Sequence, residues 1–68
     1  MYRLLDLIVM IDELDDICII TENYHKLYYG RVMNIPEYLL TYSIIENSLS
    51  VDMDDTNYPY FIVKVAVN

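Results

Sequence analysis

Apolar residues recur at helical spacing in the first fifth of the chain. The positions that lie three to four residues apart are Leu4, Leu5, Ile8, Ile11 and Leu14. This spacing places them on one face of a helix, so it predicts a helix from about Tyr2 to Leu14. Further apolar residues at positions 7, 9 and 10 widen the apolar stripe, and we expect this helix to be covered on two sides.

The pattern after this helix changes to that of two hairpins. β-Branched residues predict a strand from about Ile17 to Glu22, the polar segment NYHK predicts a turn, and the alternating segment KLYYGRVM predicts the returning strand. The segment SLSVDMD and the closing segment YPYFIVKVAV predict a second pair of strands, which a turn at DDTN joins.

A short second helix is predicted between the two hairpins, in NIPEYLLTY, where Asn34 is a capping residue and Pro36 follows in the first turn. The order α-β-β-α-β-β predicts one small α+β domain over residues 1–68, with a four-stranded, mainly antiparallel sheet packed on the N-terminal helix. In the last strand Phe61, Val63, Val65 and Val67 share one face. The other face is also half apolar, so either the short helix or a second copy of the chain should cover it.

The length of the chain limits what can stabilise it. A chain of 68 residues buries only about 60% of the surface that its unfolded form exposes. Cys18 is the only cysteine and His25 the only histidine, so neither an internal disulfide nor a four-ligand zinc site can form within one chain. Because the composition is 56% hydrophobic, we expect self-association to hide part of the apolar surface.

The net charge of −7 comes from eleven acidic and four basic residues. It argues against direct binding of nucleic acid or of anionic membranes, because contacts with phosphate come from Lys and Arg. The charge either attracts a basic surface or only keeps the protein soluble. The start of the chain lacks the pattern of a signal peptide or a membrane span, which predicts a cytoplasmic protein.

Candidate chemistry is sparse, and we predict no enzyme activity, no catalytic residues, no cofactor and no metal site. DMDDTN is similar to a calcium loop, but Asn57 and Val63 stand where that loop needs Gly and Glu, so a turn is favoured. His25 is expected to face solvent in a turn. Cys18 is expected to be a small buried apolar residue, because its sequence neighbours are anionic. With Gly30 as the only glycine, no Gly-rich phosphate loop can form.

Two acidic clusters and a tyrosine pair are the candidate partner-binding residues. They are Asp12, Glu13, Asp15, Asp16, Asp52, Asp54, Asp55, Tyr28 and Tyr29. Carboxylates are unfavourable at the C-terminal end of a helix, so the first cluster either forms a local turn or is a negative surface that competes with nucleic acid for a basic groove. Tyr28 and Tyr29 point to opposite faces of their strand, and at least one of them faces away from the core. They either serve an interface or line an ordinary amphipathic sheet.

Four segments together resemble short acidic proteins from phages and mobile elements of AT-rich Gram-positive bacteria. They are DELDD at the end of the leading helix, the hairpin ITENYHKLYYGRV, the turn NIPEYLL and the closing PYFIVKV. The resemblance implies an anti-CRISPR-like inhibitor of host defence, which acts in the host cytoplasm and can imitate nucleic acid. The expected partner is then a larger, basic nucleic-acid-binding protein.

Two other hypotheses stay open beside the inhibitor. One is a self-associating structural or accessory module, a homodimer whose charge only keeps it soluble. The other is a small regulator that neutralises a basic protein. A monomer of this size carries too few carboxylates to match duplex DNA, which has about one charge per 1.7 Å, so a dimer or an imitation of a single strand fits the charge better.

Overall fold

One layer of helical turns covers one face of a five-stranded sheet in the computed structural model, which describes residues 2–67. The strands are β1 (Asp16–Thr21), β2 (Lys26–Arg31), β3 (Ser43–Ile44), β4 (Ser50–Met53) and β5 (Pro59–Ala66). The helical elements are α1 (Leu4–Ile8) and two 3₁₀ helices, Val32–Asn34 and Glu37–Thr41. No helix within residues 2–67 is long and apolar enough to cross a membrane.

The centre of the sheet is a parallel pair. β1 runs beside β5 in the same direction, with Ile17 opposite Phe61 and Ile19 opposite Val63. The other three pairings, β1 with β2, β3 with β5 and β4 with β5, are antiparallel. The α+β class is therefore confirmed, and most pairings are antiparallel as predicted, but the sheet has five strands where four were predicted and its central pair is parallel. Alternation of apolar residues is the same in parallel and antiparallel strands, so it could not reveal the direction.

The strand predicted at SLSVDMD is the second half of an interrupted edge. β3 and β4 both pair with β5, and residues 45–49 bulge out between them. The hydroxyl of Ser48 bridges the gap, because it donates to the carbonyl of Lys64 at 3.2 Å and accepts the Lys64 N–H at 3.1 Å. The short strand β3 was not predicted, since its two residues carry too little pattern.

The core lies between the sheet and the helical layer. Its fully buried side chains are Leu4, Ile17, Ile19, Leu39, Val63 and Val65. Alternate residues of β1 and β5 supply the sheet half, and α1 and the second 3₁₀ helix supply the other half. Because all the helical elements of residues 2–67 contribute to this one cluster, none of them covers the opposite face of the sheet.

The N-terminal helix is shorter than predicted. It ends at Ile8, and Val9 is its C-cap. The Asp12 carboxylate accepts the N–H of Leu14 at 2.9 Å, and the Asp15 N–H donates to the Asp12 carbonyl at 3.0 Å. These bonds form a turn that competes with the helix. Val9 and Met10 are 74% and 71% exposed, so the expected cover on two sides is wrong.

The second helix is a 3₁₀ helix that begins after Pro36, close to its predicted place. Asn34 does not cap it, because Asn34 closes the preceding 3₁₀ helix and Pro36 occupies the N-cap. The short helix therefore does not reach the second face of the sheet, and it packs on the same side as α1 through Leu39.

Tyr28 and Gly30 form a close contact on the helix-covered side of β2. The Tyr28 hydroxyl donates to the Arg31 carbonyl at 2.6 Å. A Cβ atom added to Gly30 would lie 2.8 Å from Tyr28 Oη and 3.2 Å from Cζ. The ring therefore occupies the space that a side chain at position 30 would need.

Replacement of Gly30 by alanine should lower the free energy of unfolding by about 1–3 kcal/mol, because the new methyl group displaces Tyr28 from its hydrogen bond and because L side chains rarely adopt the φ of 158° found at this position. Urea unfolding measures the effect. In a Tyr28→Phe background the same replacement should cost at least about 0.5 kcal/mol less, since the clashing oxygen is absent. Equal costs in the two backgrounds would contradict this contact.

Candidate functional site

The parallel centre of the sheet brings the two acidic clusters to one end of the molecule. β1 and β5 both begin at this end, and β2 and β4 both finish there. The segment before β1 and the turn after β4 therefore meet. We call this region the acidic end, and its carboxylates are Asp12, Glu13, Asp15, Asp16, Asp52, Asp54 and Asp55.

Backbone pairing holds the first cluster in place. The Val32 N–H donates to the Asp15 carbonyl at 2.9 Å, and the Met33 N–H donates to the Glu13 carbonyl at 3.0 Å. These bonds continue the ladder between β1 and β2 beyond the start of β1 and the end of β2. The Glu13 and Asp15 side chains are exposed, so the negative charge of this segment faces solvent on a fixed backbone.

The second cluster surrounds a turn that its own aspartate closes. Asp54 Oδ1 accepts the Thr56 hydroxyl at 2.6 Å and the N–H groups of Thr56 and Tyr58 at 2.8 and 2.9 Å. The hydrogen bond from the Thr56 hydroxyl, followed by that from the Tyr58 N–H, lowers the pKa of Asp54. This geometry supports the prediction that DMDDTN forms a turn. Within residues 2–67 no group of three or more metal-ligating side chains comes together.

The sheet face without helices, which we call the open face, presents its residues in rows. The first row runs across β2, β1, β5 and β4 and consists of Arg31, Asp16, Tyr60 and Asp52. The second row consists of Tyr29, Cys18, Ile62 and Ser50. The third row consists of Lys26, Ile20 and Lys64. Residues paired in this way point to the same side of a sheet, so carboxylates border one end of the open face and lysines the other.

The two tyrosines of the sequence prediction have different places. Tyr29 lies on the open face, where its ring meets that of Tyr60 edge to face, with 5.3 Å between the centroids. Tyr28 packs against the helix-covered core, so it supports the fold and does not belong to the surface around the acidic end. The prediction that the pair points to opposite faces is confirmed.

Carboxylates of the acidic end affect the pKa values of the Tyr29 and Tyr60 hydroxyls. Partial burial raises the pKa of both hydroxyls. The Asp54 and Asp16 carboxylates raise the pKa of Tyr29 further, and Asp52 does so for Tyr60. The aromatic pair and the carboxylates therefore form one continuous surface.

The sequence analysis did not identify the third row of the open face, which contains Lys26 and Lys64, as a candidate site. Lys64 Nζ donates to the Tyr24 hydroxyl at 3.0 Å and lies 4.3 Å from the centre of the Tyr24 ring. This hydrogen bond lowers the pKa of Tyr24. The alternation in the last strand places Lys64 on the second face, but the turn that brings Tyr24 over it is 40 residues away in sequence.

His25 and Cys18 are the other two residues that were considered for chemical roles. His25 is exposed in the first hairpin turn, as predicted. Cys18 is buried, as predicted, although it lies on the open face and outside the main core. Burial raises the pKa of its thiol.

One concavity lies beside the break between β3 and β4. It has a volume of about 820 Å³ and is lined by residues 43–49 together with Tyr2 and Ala66. Its lining carries a single carboxylate, that of Glu46, without a histidine, cysteine or second carboxylate. These groups do not form an acid–base pair, so the acidic end and the open face are the surfaces with the most distinctive chemistry.

No protein-family model, no curated protein and no solved structure matches this chain.

The turn closed by Asp54 should make the stability of the fold depend on acid pH. The pKa of Asp54 is lower in the folded protein than its ordinary value of 3.8, so its stabilising effect is present above about pH 4 and is lost as the pH falls through the folded pKa. Asp54→Asn should therefore show a smaller drop in Tm between about pH 6 and about pH 3 than the wild type does. Asp55→Asn is the control, because no other residue within 2–67 donates a hydrogen bond to the Asp55 carboxylate. Equal drops in the two variants would contradict this role.

Proposed function

We propose that the protein uses its acidic end to occupy a basic, nucleic-acid-binding site on a larger protein and thereby inhibits it. The most concrete version is an anti-CRISPR-like inhibitor of a host defence nuclease, which the resemblance to short acidic phage proteins implies. One observation carries the proposal: seven of the eleven carboxylates lie at one end of the sheet.

The density of charge at the acidic end is close to that of one nucleic-acid strand. The molecule measures 34 × 24 × 19 Å. A single strand carries about one phosphate per 3.4 Å, so seven charges correspond to about 24 Å of single strand or about 12 Å of duplex. The seven carboxylates therefore support imitation of a single strand better than imitation of a duplex.

The aromatic pair beside these carboxylates supports the same interpretation. Grooves that bind single strands combine basic side chains for the backbone with apolar or aromatic surfaces for the bases. Tyr29 and Tyr60 lie next to Asp16 and Asp52 in the rows of the open face. They offer flat apolar rings at the side of a line of negative charge, which is the arrangement that such a groove accepts.

Charge neutralisation at the acidic end should weaken the complex with the target at least about tenfold, because three exposed ion pairs contribute about 0.5 kcal/mol each. The test variant is Glu13→Gln/Asp15→Asn/Asp55→Asn, whose side chains are exposed. The matched control, Glu22→Gln/Glu37→Gln/Glu46→Gln, makes the same change in net charge at exposed positions outside the seven carboxylates of the acidic end. Both are compared with the wild type in affinity capture from a lysate of an AT-rich Gram-positive bacterium, followed by titration of the captured protein.

Three results would support the proposal together: capture of a nucleic-acid-binding protein, competition by single-stranded DNA, and loss of binding in the test variant but not in the control. Binding should also weaken steeply as the salt concentration rises. An equal loss in both triple variants would assign the effect to net charge alone. A complex that resists high salt would overturn the acidic end as the binding surface.

A further inference from the structure

The open face of the sheet has an apolar middle that no helical element of residues 2–67 covers. Its middle row contains Tyr29, Cys18 and Ile62, and Ile20 lies in the row beside it. α1 and both 3₁₀ helices pack on the other side of the sheet. An apolar face of a sheet is normally buried against another layer of structure. The middle of the open face therefore has the composition of an interface.

Opposite charges border the middle row at equal distances. Asp16 and Asp52 lie one row, or two residues, to one side of it, and Lys64 lies two residues to the other side. Two residues along a strand span about 6.6 Å. A partner for this face therefore needs an apolar centre, cations opposite the aspartates and anions opposite the lysine.

We propose that the open face binds a second copy of this chain, face to face, with the strands of the two copies running in opposite directions. The two-fold axis then lies in the interface and follows the middle row. Each row of one copy meets the row at the opposite end of the other, so Lys64 of each copy lies between Asp16 and Asp52 of its mate.

The charges favour a second copy over an unrelated partner. A uniformly basic partner would repel Lys64, and a uniformly acidic partner would repel Asp16 and Asp52. This chain carries both signs in the reversed order that a two-fold axis requires. Lys26 and Arg31, both on the edge strand β2, also come opposite each other, but at the rim, where solvent screens like charges.

The size of the face sets the expected strength of the dimer. Four strands at about 4.8 Å and six residues at about 3.3 Å give a face of about 19 by 20 Å. This area, about 760 Å² over both copies, is smaller than that of stable specific interfaces and fits a weak, transient dimer. We therefore expect a dissociation constant of about 10–100 µM, and the mass should rise from 8.1 kDa toward twice that value over this concentration range.

A charge exchange tests the orientation. The first variant, Lys64→Glu, places acid against acid at both ends of the interface, and the second, Asp16→Lys/Asp52→Lys, places base against base. Each alone should dimerise at least about tenfold more weakly than the wild type. Mixed together, they should form a heterodimer at least about tenfold tighter than either homodimer, because both ends then carry opposite charges. Sedimentation equilibrium measures all three constants, and circular dichroism confirms that each variant is folded.

A matched pair of apolar positions tests the face itself. Ile62→Asp introduces a charge into the middle row and should abolish dimerisation. Val51→Asp introduces the same charge on the neighbouring strand but on the other side of the sheet, where Val51 is 61% exposed, and it should leave the dimer unchanged.

The wild-type chain provides a measurement that no substitution can disturb. In a mixture of differently isotope-labelled copies, nuclear Overhauser effects between chains should join the Ile20 methyl groups to the Tyr60 ring, because the third row of one copy meets the first row of the other. A wild-type mass of 8.1 kDa at about 300 µM, well above the expected dissociation constant, would overturn the proposal. So would a mixture of folded charge variants that stays monomeric.

The dimer and the proposed inhibition share Asp16, Asp52 and the Tyr29–Tyr60 pair, but three other carboxylates of the acidic end allow the two to be tested separately. Glu13, Asp15 and Asp55 lie in the segments that flank the strands, outside the rows of the open face. The triple variant that neutralises them should lose target binding and keep the dimer. Ile62→Asp separates the two proposals from the other direction, because it removes the dimer and leaves those three carboxylates in place.

Discussion

The parallel contact between β1 and β5 is the constraint on which the rest of this structure depends. Ile17 and Ile19 on one strand lie beside Phe61 and Val63 on the other, and with the buried residues of the helical layer they make the core. Two strands that run side by side in the same direction also begin at the same end. The residues before β1 and before β5 are therefore neighbours, although more than 40 positions separate them in sequence. The acidic end follows from this pairing.

The second constraint is the number of layers that so short a chain can build. The helical elements hold 13 residues in total, five in α1 and eight in the two 3₁₀ helices, and they are enough to cover one face of the sheet. The alternation in β5 supplies apolar residues to both faces, with Val63 and Val65 on one side and Ile62 on the other. The result is a core covered by the helical layer on one face and a second face on which Cys18 is nevertheless buried.

Local patterns in the sequence predicted the class of the fold and most strand positions, because β-branched alternation and turn residues act over a few positions. The first strand was predicted as Ile17 to Glu22 and is Asp16–Thr21. The helix end was wrong, since the apolar period continued to Leu14 while the Asp12 side chain formed a turn. Strand direction and the break at Ser48 were not predictable, because both are decided by contacts between distant residues. For the same reason the carboxylates of the candidate site could be predicted from the sequence, whereas their position at one end of the sheet could not. The contact between Lys64 and Tyr24 was not predicted either, because 40 residues separate them.

The acidic end and the open face would interact with a partner through different forces. The acidic end is a set of exposed carboxylates on turns, whose interactions with a basic groove act at long range, accelerate association and weaken with salt. The open face has an apolar middle row with charges at its borders, so its contacts act at short range and mainly set the lifetime of a complex. A two-fold axis along the middle row would place the acidic ends of two copies at opposite ends of the dimer, with Asp16 and Asp52 in the interface and the carboxylates of the flanking segments outside it. One such particle could then engage two basic sites at once, and a weak interface between copies would be strengthened whenever those sites lie on one target.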